Sequence, residues 1–272
     1  LRKELGPRPF TLVIESDAWN IRERDGWGES AQMAARGETA SRWHWVYGAT
    51  VFRLGERAES QSGRKMILSR GYAMTRKGVD ALADQIFAEA VRQGMLLAEQ
   101  VLVVADGAAW IWRIGEDRFP RAKKRLDFYH ASEHLWVVAN ELHGPGTAAA
   151  RAWVEPLLHQ LRHGEEQNVL SSLDDLKKTV RGKHKETVSR EAAYFESHRA
   201  GLNYEAGALA GEPIGSGAME STCRQYQCRF KRPGQFWSTA GDEALLALET
   251  FWRNGRWHLL FPHAGVSDPA RN

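Results

Sequence analysis

Only two of the 272 residues are cysteine. Both, Cys223 and Cys228, fall on one helix-like segment at a spacing that turns their side chains in different directions. That spacing excludes a disulfide between them, and two thiols without further nearby ligands do not make a zinc site. A reducing compartment fits, with Cys223 read as a packing residue. Long apolar runs are missing too. Mean hydropathy is −0.49, and no stretch reaches the roughly 20 apolar residues that a spanning helix needs. No signal-peptide pattern opens the chain, so the expectation is a soluble, cytoplasmic protein with no membrane partner. Charge of one sign is scarce: 37 Lys and Arg against 34 Asp and Glu leave a net charge of +3. That is too small to argue for a nucleic-acid partner from total charge alone. Internal repeats and low-complexity segments are absent as well.

What the chain does have is a glutamate in an informative setting. The segment PIGSGAMESTCRQYQCRFK, Pro213 to Lys231, is a Gly/Ser-rich entry followed by an unbroken helical pattern. Ser216 is placed to cap its start. Met219, Cys223, Tyr226 and Phe230 form an apolar stripe, and Glu220, Arg224, Gln227 and Lys231 form the stripe beside it. An acid heading a basic and polar row suits a metal-dependent site for a polyanion. An ordinary surface helix with one acid has the same pattern, so further acids must converge on Glu220.

Two strand ends offer them. VLVVA, Val101 to Ala105, reads as a buried strand that delivers Asp106, and TLVIES, Thr11 to Ser16, delivers Asp17. Carboxylates just past strand ends are where an α/β sheet exposes its chemistry. Two aspartates and a glutamate suit divalent cations bound through oxygen, and paired cations serve in-line phosphoryl transfer. Near Asp17, Glu15 and Asp25 are further acids; Asp17 is preferred because it ends the strand.

The order Asp17, Asp106, Glu220 resembles that of the DDE transposases of the ribonuclease-H-like superfamily. The wording is closer still to bacterial insertion-sequence transposases of the ISKra type, relatives of the Mutator-like group. The matching blocks are ESDAWNIRERDGWGES, VVADGAAWIW, RFPRAKKRLDFYHASEHLW and PIGSGAMEST. They run from Phe10 to about Trp252.

The resemblance implies a metal-dependent DNA transposase, a polynucleotidyl transferase in which Asp17, Asp106 and Glu220 ligate two Mg²⁺ (or Mn²⁺) ions. It implies DNA partners at the element ends and the target, homo-oligomerisation for synapsis, and association with the nucleoid. Asp127 and His130 match an Asp/Cys-x-x-His feature that follows the second aspartate in the Mutator-like group, and are carried over as auxiliary residues. For His130, capping the next helix is an equal alternative. Family members normally have an N-terminal region that recognises the element ends, and none precedes the first strand here. The chain is therefore expected to be either a fragment or a protein that lost end recognition, with a DNA binder lacking transposition activity as the alternative function.

Basic clusters at Arg121 to Arg125, Lys177 to Arg190 and Arg224 to Arg232 are candidates for phosphate contacts. Arg224, Gln227, Lys231 and Arg232 are the residues expected on DNA; for the middle cluster a solvated face is an equal alternative. Trp110, Trp112 and Trp237 lie near the site blocks and are candidates for stacking on an unpaired base.

The expected fold is α/β: a ribonuclease-H-like mixed sheet flanked by helices, with an all-helical insertion between strand five and the glutamate helix. His44 to Leu54 and Lys65 to Thr75 read as strands joined through Gly55 to Gly63. Lys77 to Gln93 reads as a helix. The Asp106 strand, a short helix ending near Pro120 and a strand at Lys124 to Tyr129 complete the core, in an order that the resemblance suggests. The next helix, Ala131 to about Leu142, stops at His-Gly-Pro-Gly, and helices follow at Ala148 to His163, Glu165 to Arg181 and His184 to Arg199. The resulting division is a first part of the catalytic core at 1–143, the helical insertion at 144–212, the glutamate helix and its successor at 213–253, and a loose tail at 254–272. A rival motif is His130-Ala-Ser-Glu133-His134, which fits H-x-x-E-H, the inverted zincin pattern. It would need a third zinc ligand such as Glu191, Glu196 or Glu205.

Overall fold

The computed structural model describes residues 9–24, 29–38, 41–59, 61–63 and 65–260. Asp25 and the tail from Pro262 lie outside the described residues. The chain first makes strand β1 (Thr11–Arg24), a short helix α1 (Ser30–Ala35) and strand β2 (Ser41–Arg53). Strands β3 (Arg57–Glu59), β4 (Lys65–Ile67) and β5 (Gly71–Thr75) and helix α2 (Val79–Arg92) follow. Then come β6 (Gln100–Ala105), α3 (Ala109–Arg118), β7 (Lys123–Leu126) and α4 (Phe128–His143). Four helices succeed them: α5 (Ala148–Arg162), α6 (Glu166–Thr179), α7 (Gly182–Ser197) and the short α8 (Tyr204–Leu209). The chain closes with α9 (Gly217–Phe230), α10 (Thr239–Arg253) and α11 (Trp257–Leu260).

Five strands form one mixed sheet, in the order β5-β2-β1-β6-β7, flanked by helices. Pairing is antiparallel from β5 through β2 to β1 and parallel between β6 and β7. The α/β class expected from the sequence is therefore present. The chain divides into two compact units, Leu1–Gln100 with Ala218–Asn272, and Val101–Gly217.

In the first unit, β1 continues to Arg24, well past the expected end at Ser16. The reason is alternation: Trp19 and Ile21 are buried, and every residue from Leu12 to Arg24 has a partner on β2. Asp17 thus sits within the strand, opposite Gly48. The expected strand from Lys65 to Thr75 is broken into β4 and β5. Its first part pairs with β3 in a separate two-stranded ribbon, so the segment read as a turn holds a strand of its own. The core is built from Trp19, Ile21 and Val46 of the sheet against Met219, Cys223, Tyr226 and Phe230 of α9 and Leu246 of α10. Burying each such large apolar side chain contributes about 1.5–3 kcal/mol. The stripe on α9 was legible as a core face, and it is one.

In the second unit a continuous core joins Leu126 and Phe128 to Leu135, Val138, Val154, Leu161, Leu173 and Phe195. Thr147 caps α5 by accepting from Ala150 N–H at 3.1 Å, directly after the Gly-Pro-Gly stop. β7 ends earlier than expected, at Leu126, because Asp127 caps α4 by accepting from the backbone of Tyr129 and His130.

Candidate active site

The first unit holds α9 against β1 by its N-terminal turn. Glu15 is fully buried and its Oε2 accepts the Met219 N–H at 2.8 Å, a favourable place for a carboxylate because the early N–H groups of a helix lack partners within it. Arg70 Nη1 donates to the Ala218 carbonyl at 3.3 Å. Gly48 provides the seat: a Cβ there would lie 2.7 Å from Met219 Cε and 2.6 Å from Met74 Sδ. Glu15, one of the alternative acids, is therefore an anchor for the helix that carries Glu220.

Asp17 lies two residues along β1 from Glu15, on the same face of the strand. Its Oδ1 accepts from Ala18 N–H at 2.6 Å, and the Cys223 thiol donates to its Oδ2 at 3.8 Å. Glu220, one turn before Cys223, is 49% exposed and stands 3.5 Å from Arg224. Burial pushes the Cys223 thiol well above its ordinary range, and the charges of Asp17 and Glu220 push it further the same way. The thiol therefore stays neutral between two acids.

In the second unit, Asp106 follows the last residue of β6, as the sequence indicated. Its Oδ1 accepts from Ala108 N–H at 2.9 Å, closing the turn through Gly107 at φ 95°. Two side chains of the helical region hold this turn from outside. Tyr194 donates to the Asp106 carbonyl at 2.8 Å, and His198 Nε2 sits 3.1 Å from the Gly107 carbonyl. Burial first, then the charges of Asp106 and Glu191, raise the Tyr194 hydroxyl well above its ordinary range and keep it a donor. Neither Tyr194 nor His198 was among the residues singled out from the sequence.

Asp127 has both oxygens occupied. Oδ1 accepts from the N–H groups of Tyr129 and His130 at 2.7 and 3.2 Å; Oδ2 accepts from the Ser216 N–H and hydroxyl, both at 2.6 Å. Ser216, expected as the cap of α9, is thus tied to the end of β7. His130 lies in the first turn of α4 with its Nδ1 3.3 Å from Glu133 Oε2. His134 stacks on Tyr194 at 3.6 Å and places Nδ1 2.5 Å from Glu191 Oε2. Burial raises the Glu191 carboxyl, but the bonds from His134 and Arg190 outweigh it and leave its pKa below the ordinary range. Of the third ligands suggested for the H-x-x-E-H motif, Glu191 reaches His134, where it engages Nδ1. Among the described residues, no group of three or more His, Cys, Asp or Glu side chains is arranged to hold a metal ion.

The basic clusters separate on inspection. Arg125 is 0% exposed and donates to Glu212, Asn203 and the Pro213 carbonyl, so it is a structural cation and not part of a phosphate-binding surface. Lys178 pairs with Asp175, Lys183 with Glu141 and Arg190 with the buried Glu191. Arg224 is exposed and Gln227 partly so. Lys231 and Arg232 fall beyond the end of α9: Lys231 reaches Asn20 Oδ1 at 3.0 Å, and Arg232 Nε caps the helix at the Cys228 carbonyl at 2.9 Å. Trp237 is packed, donating its indole N–H to the Phe230 carbonyl at 2.8 Å. Trp112 is partly buried beside His198, at 6.1 Å between ring centres, and no described helix is long and apolar enough to cross a membrane.

A family model described as Uncharacterised protein family (UPF0236) matches residues 55–258, a span that includes Asp106 and Glu220 but not Asp17. Among solved structures, the Drosophila P element transposase strand transfer complex is similar at 11% identity and a TM-score of 0.37, over 94% of this chain and 78% of that one. No curated protein matches.

Proposed function

The chain belongs to the uncharacterised protein family UPF0236, a family found in insertion-sequence-associated proteins, and on that premise we propose that it is the catalytic region of a DDE transposase of the ISKra type. One observation carries the reading. Asp17 on β1 and Glu220 on α9 both act on the Cys223 thiol, although Asp17 and Cys223 are 206 residues apart in sequence. Two of the three acids named by the motif blocks thus belong to one compact unit. Asp106 is the third by the resemblance of its own block, and its strand-end turn is held on two sides.

The donor chemistry fits hard divalent cations. Asp17, Asp106 and Glu220 offer only carboxylate oxygens, and a neutral thiol does not compete for Mg²⁺ or Mn²⁺. When bound, two such ions would supply charge stabilisation for in-line phosphoryl transfer. In the first step water attacks a phosphodiester at the element end, the P–O3′ bond breaks, and the 3′-oxygen leaves as a free hydroxyl. That hydroxyl then attacks a target phosphodiester, forming one P–O bond as another breaks.

The protein's own part is positioning. Glu15 and Gly48 hold the turn that carries Glu220, and Tyr194 and His198 hold the turn that carries Asp106. Asp127 fixes Ser216 ahead of α9, and the His130 N–H donates to the same carboxylate at the start of α4. Arg224, Gln227, Lys231 and Arg232 are proposed to meet DNA phosphates, and pairing of two ends implies a homo-oligomer by family analogy alone.

The test is cleavage of labelled element-end DNA with and without Mg²⁺ or Mn²⁺, by wild type and by Glu220→Gln, Asp17→Asn and Asp106→Asn. Metal-dependent cutting by wild type alone is the expected result. Full cutting by Glu220→Gln would mean that another residue is the third acid. Binding without cutting by the wild type would favour the alternative of a truncated or domesticated DNA binder.

A further inference from the structure

Alternate residues of β1 face opposite ways. Trp19, Ile21 and Glu23 point into the packed side, and Asn20, Arg22 and Arg24 point to the other. Across from Asn20 and Arg22 on β2 stand Trp45 and Trp43, and each of these two tryptophans is 56% exposed. Two neighbouring indoles on one open strand face are unusual, because large aromatic side chains normally bury 150–250 Å² or so each.

Charged groups are interleaved with the rings. Beyond α9 the chain runs beside β1: the Trp237 N–H donates to the Arg22 carbonyl at 3.1 Å, and the Arg24 N–H to the Trp237 carbonyl at 2.9 Å. This pairing sets Phe236 beneath two guanidinium groups, with Arg22 at 4.6 Å and Arg24 at 5.4 Å from its ring centre. Arg22 is also 5.9 Å from the Trp43 ring centre, and Lys231 Nζ is 5.3 Å from it. Arg24, Phe236, Arg22, Trp43 and Lys231 therefore form an alternating row of cation and ring, and Trp45 extends it.

We propose that this face of β1 and β2 binds an unpaired stretch of DNA, with bases stacked on Trp43 and Trp45 and phosphates on Arg22, Arg24 and Lys231. Single-strand sites combine these two components, cations along the backbone and rings that accept any base. A duplex keeps its base faces stacked within itself and offers a ring only edges, so the indoles select for unpaired strand. Trp43 and Trp45 are two residues apart on one strand, about 7 Å, and neighbouring nucleotides of an extended strand can each meet a ring. The surface is separate from the acids, and binding there needs no metal. The inference rests on the reading of the chain as a DNA-acting protein.

The experiment compares binding of a labelled single strand, the same strand carrying abasic sites, and its duplex, over a range of salt. Wild type is expected to prefer the intact single strand. Trp43→Ala/Trp45→Ala should weaken that binding by about tenfold or more, abolish the difference from the abasic strand, and leave the salt slope in place. Trp43→Phe should restore part of the loss, and Arg22→Gln with Lys231→Gln should flatten the salt slope. Both indoles are largely exposed, so the double variant is expected to fold, which circular dichroism checks. Single-strand binding unchanged in the double variant would overturn the proposal, as would wild-type binding indifferent to abasic sites. If wild type cuts element ends yet binds no single strand, the face serves another partner, such as a protein, and this inference fails while the transposase reading stands. Base-dependent single-strand binding without any cutting would support the inference and count against the transposase reading.

Discussion

The Tyr194 hydroxyl occupies the space that a side chain on Gly107 would need: a Cβ there would lie 2.6 Å from the phenolic oxygen. Gly107 is also at φ 95°, a conformation that other residues rarely adopt. The strand-end turn of Asp106 and a helix 88 residues downstream are therefore fitted to each other.

Removing the Tyr194 hydroxyl separates fit from bonding. Tyr194→Phe deletes the donor to the Asp106 carbonyl and should cost about 1 kcal/mol of stability, with strand cleavage falling several-fold and DNA affinity unchanged. Gly107→Ala adds a clash to a strained backbone and should be worse on both counts. Thermal unfolding and single-turnover cleavage measure the two effects. If Tyr194→Phe loses stability but cuts at the full rate, the anchor supports the fold and not the site.

How much of this was written legibly in the sequence depends on distance along the chain. The strands before Asp17 and Asp106 were visible because burial on both faces leaves short continuous apolar runs. The continuation of β1 to Arg24 was missed because its outward residues, Asn20, Arg22 and Arg24, look like loop polarity when its partner strand is unknown. The helices after Gly144 were marked by a Gly-Pro-Gly stop and by threonine at a cap. Tyr194 and His198 left no local signal, since both act on backbone carbonyls far away in sequence. Arg125 misled because it sits in a basic run, whereas the second half of β7, Arg125 and Leu126, is buried.

That buried arginine supports a prediction of its own. Arg125 Nη2 donates to Glu212 Oε2 at 2.7 Å, and Lys123 meets the same oxygen at 2.9 Å. Burial raises the Glu212 carboxyl, and the two cations outweigh it, leaving its pKa below the ordinary range. Its contribution to stability is therefore present above the carboxylate's unfolded pKa and is lost as pH falls through the lower folded one. Arg125→Met leaves the acid without its buried partner and should destabilise by about 3–5 kcal/mol. Chemical denaturation at neutral pH checks the size. A loss below about 1 kcal/mol would be the value of a surface pair, and would contradict the burial.

A second buried group titrates in the opposite sense. Asp242, at the start of α10, is fully buried beside Glu23, and Arg76 Nε lies 3.3 Å from its Oδ2 while Nη2 pairs with Glu23. Arg76 is shared between the two acids, and His44 Nε2 stands 3.4 Å from Glu23 Oε2. Burial, then the bond to Glu23 and its charge, push the Asp242 carboxyl up to about 7. Because the folded pKa lies above the unfolded value near 4, the folded state holds an extra proton between them. Stability from this group is complete below about 4 and is lost as pH rises through 7. Asp242→Asn should thus raise the unfolding temperature at pH 8 by a few degrees and have little effect at pH 5. Equal shifts at both values would show that the pair does not share a proton.

The seat of α9 offers the most direct test of how the first unit brings its acids together. Gly48 is the cross-strand partner of Asp17, and it is also the point where Met219 packs onto the sheet. Both contacts that a Cβ would make are with the ends of flexible methionine side chains, so Gly48→Ala is expected to fold, at a cost of about 1–3 kcal/mol from overpacking. The Met219 side chain must then move, and if its seat carries the helix with it, cleavage should fall more than stability alone explains, by about tenfold or more for a displacement of Glu220 near 1 Å. Met219→Ala in the same chain removes the obstructing side chain and should restore part of the activity even though it cannot restore full packing. Should Gly48→Ala cut DNA as fast as wild type at a temperature where both are folded, the spacing between Asp17 and Glu220 would not be what sets the rate.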